Sequence, residues 1–532
     1  MARVVIVTLY NPGAIGARYV ASSLRAAGHD VWLLHLKDGK VGFIPSDQEE
    51  RLQAIERDTR LSYIRVRRPG VWLYAPYPAE ITAAEQDLFI SELRRLKPDV
   101  AAFSFYTVTV AAAEELTARI RRDLPGLPVM WAGLHAILDS EGCIRHADLI
   151  CVGEGEEAMV ELMNRWEEYR RGGARDVPSF WFRKGDEVVR NPRRPLLKDL
   201  DRLPFPLYGE QEKLIEGGRV FDALPEESQG GEYHRLILTG RGCPYHCSYC
   251  VHSILREDRM FTQLRRRSVA NVMEECERLF QRYHAPHFVF HDEIFVLQKE
   301  WIREFAREFK SRFAPRGVTF TGYAHPLMTD EEMLDWMWDA GMRRVGIGVQ
   351  TGSPRVAREV FERPFYPEKT IQFTRLLAKY PFDMVQFELL TYNPFETEED
   401  RRETFEFLLQ LERPFAVECF DLVLYPTSKL GRQTPPVDKL DMDAMIWWTM
   451  LYHLTGIPEM DRGVLREIAA NDTYRQRPKE LEHLATAIAR LNAERDRLSR
   501  EARNRQAAAP AMAPGARGLR RRIERLVENI IP

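Results

Sequence analysis

Three of the seven cysteines lie within eight residues of one another, in the segment GRGCPYHCSYC at residues 240–250. Cys243, Cys247 and Cys250 therefore have C-x3-C-x2-C spacing, directly after a predicted strand. Thiolates on one tight loop can bind three corners of an iron–sulfur cube and leave the fourth iron open for chemistry. The other four cysteines are scattered, and each is expected to be a small buried hydrophobic residue.

A zinc site is the alternative interpretation of this segment. Zinc accepts three cysteines and one histidine, and His246 or His252 could supply the fourth ligand. Structural zinc sites usually draw their ligands from two pairs of residues, and the sequence has no second pair of cysteines at such spacing. The pattern therefore favours the iron–sulfur cluster over zinc.

The cysteine segment resembles the radical S-adenosylmethionine (SAM) superfamily, whose motif has an aromatic residue before the third cysteine, here Tyr249. The resemblance implies a 4Fe–4S cluster held by Cys243, Cys247 and Cys250, with SAM chelating the fourth iron through its amino and carboxylate groups. Electron transfer into the sulfonium would give a 5′-deoxyadenosyl radical, which the protein positions and insulates. An external one-electron donor, such as flavodoxin or ferredoxin, is implied as a partner.

Further segments occur in the order of that superfamily. HDE at 291–293 ends a predicted strand where the family places a polar group on the SAM amino end, and GIGVQTGS at 346–353 resembles the fourth-strand segment. LYPT at 424–427 resembles the sixth-strand ending. The resemblance implies SAM contacts from Tyr249, Asp292, Glu293, Gln350 and Ser353.

The elements that must position these residues include, first, an α/β domain over residues 1–165. Strand and helix patterns alternate there as in a doubly wound, Rossmann-like sheet. Strands are predicted at 4–9, 30–36, 99–105, 128–131 and 149–152, and helices at 16–27, 81–96 and 111–122. Ligands of such sheets bind at the carboxyl ends of the strands.

An α/β domain ahead of a radical SAM barrel resembles the cobalamin-binding radical SAM subfamily, and this resemblance covers residues 1–426. The segments LKPDV at 96–100, WAGLH at 131–135 and CVGEGE at 151–156 support it. Small residues in such loops let the backbone approach a large flat ligand. The resemblance implies cobalamin contacts from Tyr10, Asn11, Gly13, Gly16, Ser104, Tyr106, Thr107, Gly133, Gly153 and Glu154.

One departure from the subfamily concerns the lower cobalt ligand. Many cobalamin domains carry D-x-H-x-x-G after the first strand, whereas this chain reads NPGAIG at 11–16, with Gly13 in the histidine position. We therefore expect cobalamin to bind without histidine ligation, and Tyr106 or Tyr10 to lie near the lower corrin face. A degenerate domain with only a structural role is the alternative.

The second half of the chain predicts a partial (β/α)6 barrel and a helical end. A barrel of this type has its active site at the carboxyl ends of its strands. Strands are predicted at 234–239, 287–290, 319–323, 344–349, 384–390 and 420–424, and helices at 269–283, 299–313 and 330–340. The predicted domains are the cobalamin-binding domain 1–165, a connector 166–232, the barrel 233–434, a helical domain 435–506, and a flexible linker with a short basic helix over 507–532.

Two features of the helical end leave alternatives open. A leucine-rich stripe at 481–498 fits either a packed surface helix or a coiled coil. Trp447 and Trp448 could close a pocket over the barrel or belong to the core.

Composition narrows the function classes. The 532 residues carry 76 Lys and Arg against 79 Asp and Glu, a net charge of −3, which argues against a nucleic-acid partner. No secretory signal opens the chain, and no apolar run approaches the roughly 20 residues that span a bilayer, so a cytoplasmic setting is expected. A small-molecule substrate is therefore favoured.

The leading hypothesis is a cobalamin-dependent radical SAM methyltransferase that methylates an unactivated carbon of a small molecule. A second hypothesis keeps both cofactors and uses the radical for cyclisation, ring rearrangement or epimerisation without methyl transfer. A third is a non-enzymatic metal or cobalamin carrier. The polar groups expected at the barrel strand ends argue against the carrier.

Overall fold

The computed structural model describes residues 1–38, 42–45, 65–68, 71–74, 81–209, 211–222, 236–257, 264–425, 427–433, 435, 441–458 and 460–471. The leucine-rich stripe at 481–498 and the linker with its basic helix over 507–532 lie outside the described residues. None of the helices in these described ranges has the length and apolar character needed to cross a membrane.

The described elements alternate in two blocks, as the sequence predicts. The strands are β1 (Arg3–Leu9), β2 (Asp30–Leu36), β3 (Gly42–Pro45), β4 (Arg65–Arg68), β5 (Val71–Tyr74), β6 (Val100–Ser104), β7 (Val129–Ala132), β8 (Leu149–Cys151), β9 (Phe180–Lys184), β10 (Glu187–Arg190), β11 (Glu212–Glu216), β12 (Arg219–Phe221), β13 (Leu236–Ile237), β14 (Gly240–Arg241), β15 (Arg265–Arg266), β16 (His287–Phe290), β17 (Thr319–Tyr323), β18 (Met342–Gln350), β19 (Met384–Thr391) and β20 (Ala416–Asp421). The helices are α1 (Ile15–Ala26), α2 (Ala83–Leu96), α3 (Val110–Asp123), α4 (Leu134–Leu138), α5 (Ser140–His146), α6 (Gly155–Asn164), α7 (Trp166–Arg170), α8 (Val251–Glu257), α9 (Val269–Tyr283), α10 (Lys299–Arg312), α11 (Glu331–Ala340), α12 (Pro367–Leu377), α13 (Glu398–Leu408), α14 (Met442–Thr455) and α15 (Arg462–Ala470).

The first sheet is doubly wound around its buried centre. Its strand order is β10-β9-β8-β7-β6-β1-β2-β11-β12, and β1 pairs in parallel with both β2 and β6. Strand β1 (RVVIVTL) is buried along almost its whole length, as expected for a β-branched strand covered by helices on both faces. The chain turns to opposite sides of the sheet after β1 and β6, so the expected ligand position lies between their carboxyl ends.

The residues predicted as a connector over 166–232 differ from the expectation. They form α7 and four strands, and these strands extend the first sheet at both edges: β9 and β10 beyond β8, and β11 and β12 beyond β2. The prolines and charges that suggested a linker flank short strands, which the composition of the segment obscures. The first structural unit therefore extends well past residue 165.

The added strand β11 is fixed by a buried ion pair. Glu212 forms a salt bridge with Arg18 of α1, and both side chains are inaccessible to solvent. The imidazole of His35 lies 2.8 Å from the same Glu212 oxygen, and Thr8 is within 2.6 Å of the other ring nitrogen of His35. Arg18 also donates to the carbonyl of Pro12, in the loop that follows β1. Through Arg18, this buried network thus fixes the loop that follows β1.

The second block is a six-stranded parallel sheet in the order β13-β16-β17-β18-β19-β20, which confirms the partial barrel. Alternate residues of the strands are buried against the outer helices, for instance Phe288 and Phe290 of β16, which pack against Phe305 and Phe309. The intervening residues face the inside of the barrel. Its inner face is polar, with residues such as Gln386 and Glu388.

The sixth strand lies earlier in the chain than predicted. The sequence indicated 420–424, whereas β20 spans Ala416–Asp421 and pairs with β19. Val417 and Cys419 are the residues buried against the helices. Leu422 and Leu424 instead pack in a small apolar cluster with Tyr249 of the cysteine loop. These two leucines therefore pack beside the cysteine loop and lie outside the sheet.

The helical end packs on the barrel through α14. Trp447 and Trp448 are buried in the barrel core, and the indole nitrogen of Trp448 donates to Glu398 at 3.0 Å. They are core residues. Strand β4, from the first half of the chain, contacts α14.

We predict that Arg18→Met lowers the free energy of unfolding by about 3 kcal/mol, because it leaves the buried Glu212 carboxylate without its cationic partner. Urea unfolding of the full chain, followed by far-ultraviolet circular dichroism, measures this loss. Arg122→Met, on the exposed face of α3, is the control and should leave the curve unchanged. A loss no larger than that of the control would contradict the role of the ion pair.

Candidate functional site

The three clustered cysteines lie on a loop between the two-residue strand β14 and helix α8. Cys247 is buried, Cys243 and Cys250 are partly buried, and all three are free thiols. The three thiols lie close enough together for Cys247 and Cys243 to raise the pKa of Cys250. Burial raises the pKa of Cys250 to about 12, and the pKa of Cys243 also lies above its usual range. Metal binding to such thiols must release their protons.

The loop is fixed from two sides by one serine. The backbone nitrogen of Ser248 donates to the carbonyl of Phe361 at 2.9 Å, and its hydroxyl donates to the carbonyl of Val360. The backbone nitrogen of Leu430 donates to the carbonyl of Ser248. Segments that follow the fourth and the sixth barrel strand therefore hold the loop over the carboxyl ends of the strands.

The donor set fits an iron–sulfur cube better than a zinc ion. Within the described ranges no three His, Cys, Asp or Glu side chains converge as a single ion requires. A cube is larger than an ion, so its three ligands need not meet at one point. The histidines of the zinc alternative are also placed differently: His246 is exposed, and the Nε2 atom of His252 lies 3.1 Å from Glu293.

Asp292, which is expected to contact SAM, accepts hydrogen bonds from groups of the protein itself. Its Oδ1 accepts hydrogen bonds from the backbone nitrogens of Thr239 and Gly240, and its Oδ2 accepts one from the Thr239 hydroxyl at 2.7 Å. Burial raises its pKa to about 6. The carboxyl group ties the second barrel strand to the start of the cysteine loop, so its contribution is to position that loop.

Ser353 also forms hydrogen bonds within the protein, and SAM contact by Asp292 and Ser353 stays a prediction. Ser353 is fully buried, and its hydroxyl donates to Asp400 at 2.7 Å. The turn from Thr351 to Ser353 is held against α13, where the Thr404 hydroxyl oxygen accepts a hydrogen bond from the backbone nitrogen of Gly352 at 3.0 Å. These hydrogen bonds to α13 therefore fix the turn at the end of the fourth barrel strand.

Tyr249 belongs to the cysteine loop, Glu293 lies beside it and Gln350 ends β18; SAM contact by these three residues stays a prediction. Tyr249 packs edge-on against Phe361 at 4.7 Å between ring centres. Gln350 ends β18 with a positive φ of 73°, at an irregularity in the pairing of β18 with β19. Glu293 pairs with His252 at the side of the loop that faces the first sheet.

The predicted cobalamin face lies at the carboxyl ends of β1 and β6. Tyr106 is 41% exposed, and its hydroxyl lies 3.4 Å from the amide nitrogen of Asn11. Gly13 is buried in the same loop as Asn11. Tyr10, in contrast, is buried in the core of the first sheet, so of the two tyrosines expected near the lower corrin face only Tyr106 is presented to a ligand.

Thr107 and Gly133 shape the neighbouring strand ends. The Thr107 hydroxyl lies 3.1 Å from Nδ1 of His135, and burial lowers the pKa of this histidine. Gly133 has a φ of 88°, and a Cβ atom there would lie 2.7 Å from the backbone nitrogen of Phe105. Only glycine lets these two loops approach so closely.

A cavity of about 360 Å³ opens between the first sheet and the cysteine loop. Of the predicted cobalamin residues, Gly16, Ser104, Gly133, Gly153 and Glu154 line it. A Cβ atom on Gly16 would meet no atom within 4 Å, so this glycine leaves open space where any other residue would fill it. The small residues and the mostly apolar walls fit the tail of a large cofactor such as cobalamin.

The opposite wall of the cavity comes from the cysteine loop and its helix. Arg241, Val251, His252, Leu255 and Glu293 line this side. Helix α8 begins directly after Cys250, so a ligand in the cavity touches the helix that follows the third cysteine. The two cofactor sites therefore share a wall.

Glu154 is an interdomain anchor. Its Oε1 lies 2.9 Å from both Arg241 and Arg265, its Oε2 lies 2.9 Å from Arg265, and Glu156 pairs with Arg241 at 2.6 Å. Burial disfavours the charge, yet Arg265 and Arg241 hold the pKa of Glu154 below its usual range. Since its oxygens are taken by these arginines and by the backbone nitrogen of Leu197, Glu154 joins the two halves and lines the cavity only secondarily.

Sequence reasoning missed the arginines of this junction. Arg265, Arg266 and Arg267 are consecutive and resemble an ordinary charged run, yet each has its own partner: Arg266 lies 3.7 Å over the ring of Trp301, and Arg267 pairs with buried Glu275. The sequence does contain one indication of these arginines: three of them occur in a row just before a predicted core helix. Charged runs are mostly solvated, so this signal is weak.

Two family descriptions match parts of the chain. The Radical SAM superfamily matches residues 237–408, which contain the cysteine loop and the second to fifth barrel strands. The B12 binding domain matches residues 78–163, from α2 to the end of α6. The matched regions meet at the junction of Glu154 with Arg241.

Known proteins with similar sequences include methyltransferases and cyclases. An uncharacterized methyltransferase of Pyrococcus horikoshii, PH0819, is 24% identical over 54% of this chain and 59% of its own. The anaerobic magnesium-protoporphyrin IX monomethyl ester cyclase of Cereibacter sphaeroides is 25% identical over 51% of this chain and 43% of its own. This chain thus spans about half the length of the curated relatives it matches.

A solved structure shares the fold. The radical S-adenosylmethionine methyltransferase TsrM of Kitasatospora setae, with cobalamin and a 4Fe–4S cluster bound, superposes with a TM-score of 0.56. The superposition covers 81% of this chain and 74% of TsrM, at 19% sequence identity. The likeness confirms the order of an α/β domain followed by a barrel.

We predict that Glu154 and Arg241 stabilise the chain cooperatively. Glu154→Gln should lower the free energy of unfolding by about 3 kcal/mol, because Arg241 and Arg265 then lose a buried counter-ion. The double variant Glu154→Gln with Arg241→Gln should lose about 2 kcal/mol less free energy of unfolding than the two single variants lose together. Urea unfolding of the four members of this cycle gives the coupling energy.

Glu157→Gln, on the exposed side of α6, is the matched control and should be close to neutral. Purely additive effects of the Glu154 and Arg241 changes would show that the two residues do not act as a pair.

Proposed function

We propose that this chain is a cobalamin-binding radical SAM enzyme that transfers a methyl group from methylcobalamin to an unactivated carbon of a small molecule through a 5′-deoxyadenosyl radical. One observation carries the proposal. The cavity proposed for the cobalamin tail is lined on one side by residues predicted to bind cobalamin, such as Gly16 and Gly153, and on the other by Arg241, Val251 and His252 of the cysteine loop and its helix. Such a transfer needs both cofactors to face one substrate.

The proposal assigns the cofactor ligands to the cysteine loop. Cys243, Cys247 and Cys250 would supply the thiolates for a 4Fe–4S cluster, which would leave one iron open for SAM. When bound, the cluster and SAM supply the carbon radical, and cobalamin supplies the methyl group. The protein's own contribution is to position and insulate this chemistry.

Insulation comes from the apolar cluster beside the cysteine loop. Val356, Val360, Phe361, Phe395 and Leu430 are all buried there, and Tyr249, Leu390, Leu422 and Leu424 pack against them. This cluster closes the barrel side of the loop against water. A reactive carbon radical needs such a dry enclosure, because side reactions otherwise consume it.

The substrate and the reductant follow from the same site. The near balance of charges over the chain supports a small molecule and not a nucleic acid. The cluster needs one electron for each SAM cleaved, and an external donor such as a flavodoxin or ferredoxin would supply it.

A second function is favoured by one of the relatives. The similarity to the anaerobic magnesium-protoporphyrin IX monomethyl ester cyclase supports a reaction in which the same radical closes or rearranges a ring without methyl transfer. Both reactions start from hydrogen abstraction. They differ in whether the methyl group of SAM ends in the product.

Isotope transfer separates the two functions. The reconstituted chain, with cobalamin, a low-potential reductant and SAM carrying a deuterated methyl group, is incubated with a small-molecule extract. Methyl transfer predicts both S-adenosylhomocysteine and 5′-deoxyadenosine, and a metabolite that carries the deuterated methyl group. A converted metabolite without label, formed with 5′-deoxyadenosine alone, would refute methyl transfer and support the second function.

The control is a cysteine variant in the same assay. Cys247→Ala should lose the brown visible absorbance of the cluster together with all 5′-deoxyadenosine formation, because one corner of the cube loses its ligand. A variant that keeps the cluster would contradict the ligand assignment.

A further inference from the structure

Arg363 brings a positive charge to the cysteine loop from the segment after the fourth barrel strand. Its Nη1 lies 3.7 Å from the sulfur of Cys247, within hydrogen-bonding distance for a sulfur acceptor. Its Nη2 donates to the carbonyl of Gly348 at 2.6 Å, which fixes the guanidinium on the β18 side. The guanidinium also lies 6.0 Å from the ring centre of Tyr245.

The charge of Arg363 is directed at sulfur and aromatic groups. The carboxyl group of Glu388 on β19 is close enough to interact with this charge, but the contact at hydrogen-bonding distance is with the Cys247 sulfur. The side chain is partly buried, and a cation away from water is costly without an anion. A cluster ligated by thiolates carries net negative charge, and it would place a further anion directly beside this guanidinium.

We propose that Arg363 raises the reduction potential of the cluster by donating an N–H bond to the Cys247 sulfur and by its positive charge. Reduction adds one electron from the external donor, and no bond forms or breaks. The reduced cluster is more negative than the oxidised one, so a nearby cation and donor stabilise it more. The consequence is that a cellular donor of moderate potential can reduce the cluster.

The proposal rests on the cluster assignment within the proposed function, and it does not depend on methyl transfer. Arg363 is a positioning and tuning residue here, since it acts on the cluster through Cys247. A role on the carboxylate of SAM is a competing explanation for an arginine at this place. A titration without SAM separates the two.

The test is a redox titration of the anaerobically reconstituted full chain without SAM, monitored by electron paramagnetic resonance of the reduced cluster. At the potential where half of the unaltered cluster is reduced, Arg363→Met should lower the ratio of reduced to oxidised cluster about tenfold, a shift of about 59 mV for one electron. Arg363→Gln keeps N–H donors but loses the charge, and it should give a smaller fall. Arg358→Met, an exposed arginine in the same segment, should change nothing.

Iron content and the reduced signal are measured for every variant. A fully loaded Arg363→Met chain with an unchanged potential would overturn the proposal and leave the SAM explanation. If Arg363→Met does not load, Arg363→Gln decides, because an unchanged potential there would overturn it equally. Failure of the unaltered chain to bind a cluster at all would instead contradict the proposed function.

Discussion

The contact on which the site depends is the buried charge cluster of Glu154 and Glu156 with Arg241 and Arg265. Arg241 lies two residues before the first cysteine, and both glutamates lie in the loop and first turn that follow β8. Burying these charges is costly unless each finds a partner at good distance, and here each does. The requirement fixes one arrangement of the two halves, in which the cysteine loop faces the carboxyl ends of the first sheet.

The same requirement explains why the cavity has two kinds of wall. The first sheet contributes glycines and small residues, which leave room, while α8 contributes larger apolar residues such as Leu255. Since α8 follows Cys250 directly, filling the cavity restrains the helix next to the last thiol. Cobalamin and cluster binding are thus expected to support each other, although their sites belong to regions that match different families.

Much of this could be predicted from the sequence, for identifiable reasons. The β-branched run of β1 and the periodic helices have strong local patterns, and the cysteine spacing is specific to its chemistry. The strands after residue 165 were missed because they are short and lie among prolines. Asp292 and Glu154 lie in segments that match the family motifs. A motif cannot show that a carboxylate already forms hydrogen bonds or ion pairs within the protein. Arg363 was missed because only the fold brings it near Cys247.

The most direct test of this account is the magnetic interaction between cobalt and the cluster in the doubly loaded chain. With cobalamin in its paramagnetic cobalt(II) form and the cluster reduced, pulsed electron paramagnetic resonance should give one defined dipolar coupling. Glu154→Gln combined with Glu156→Gln should broaden that coupling into a distribution. A coupling that is absent from the unaltered chain, or unchanged when both glutamates are replaced, would contradict the claim that these ion pairs hold the two cofactor sites face to face.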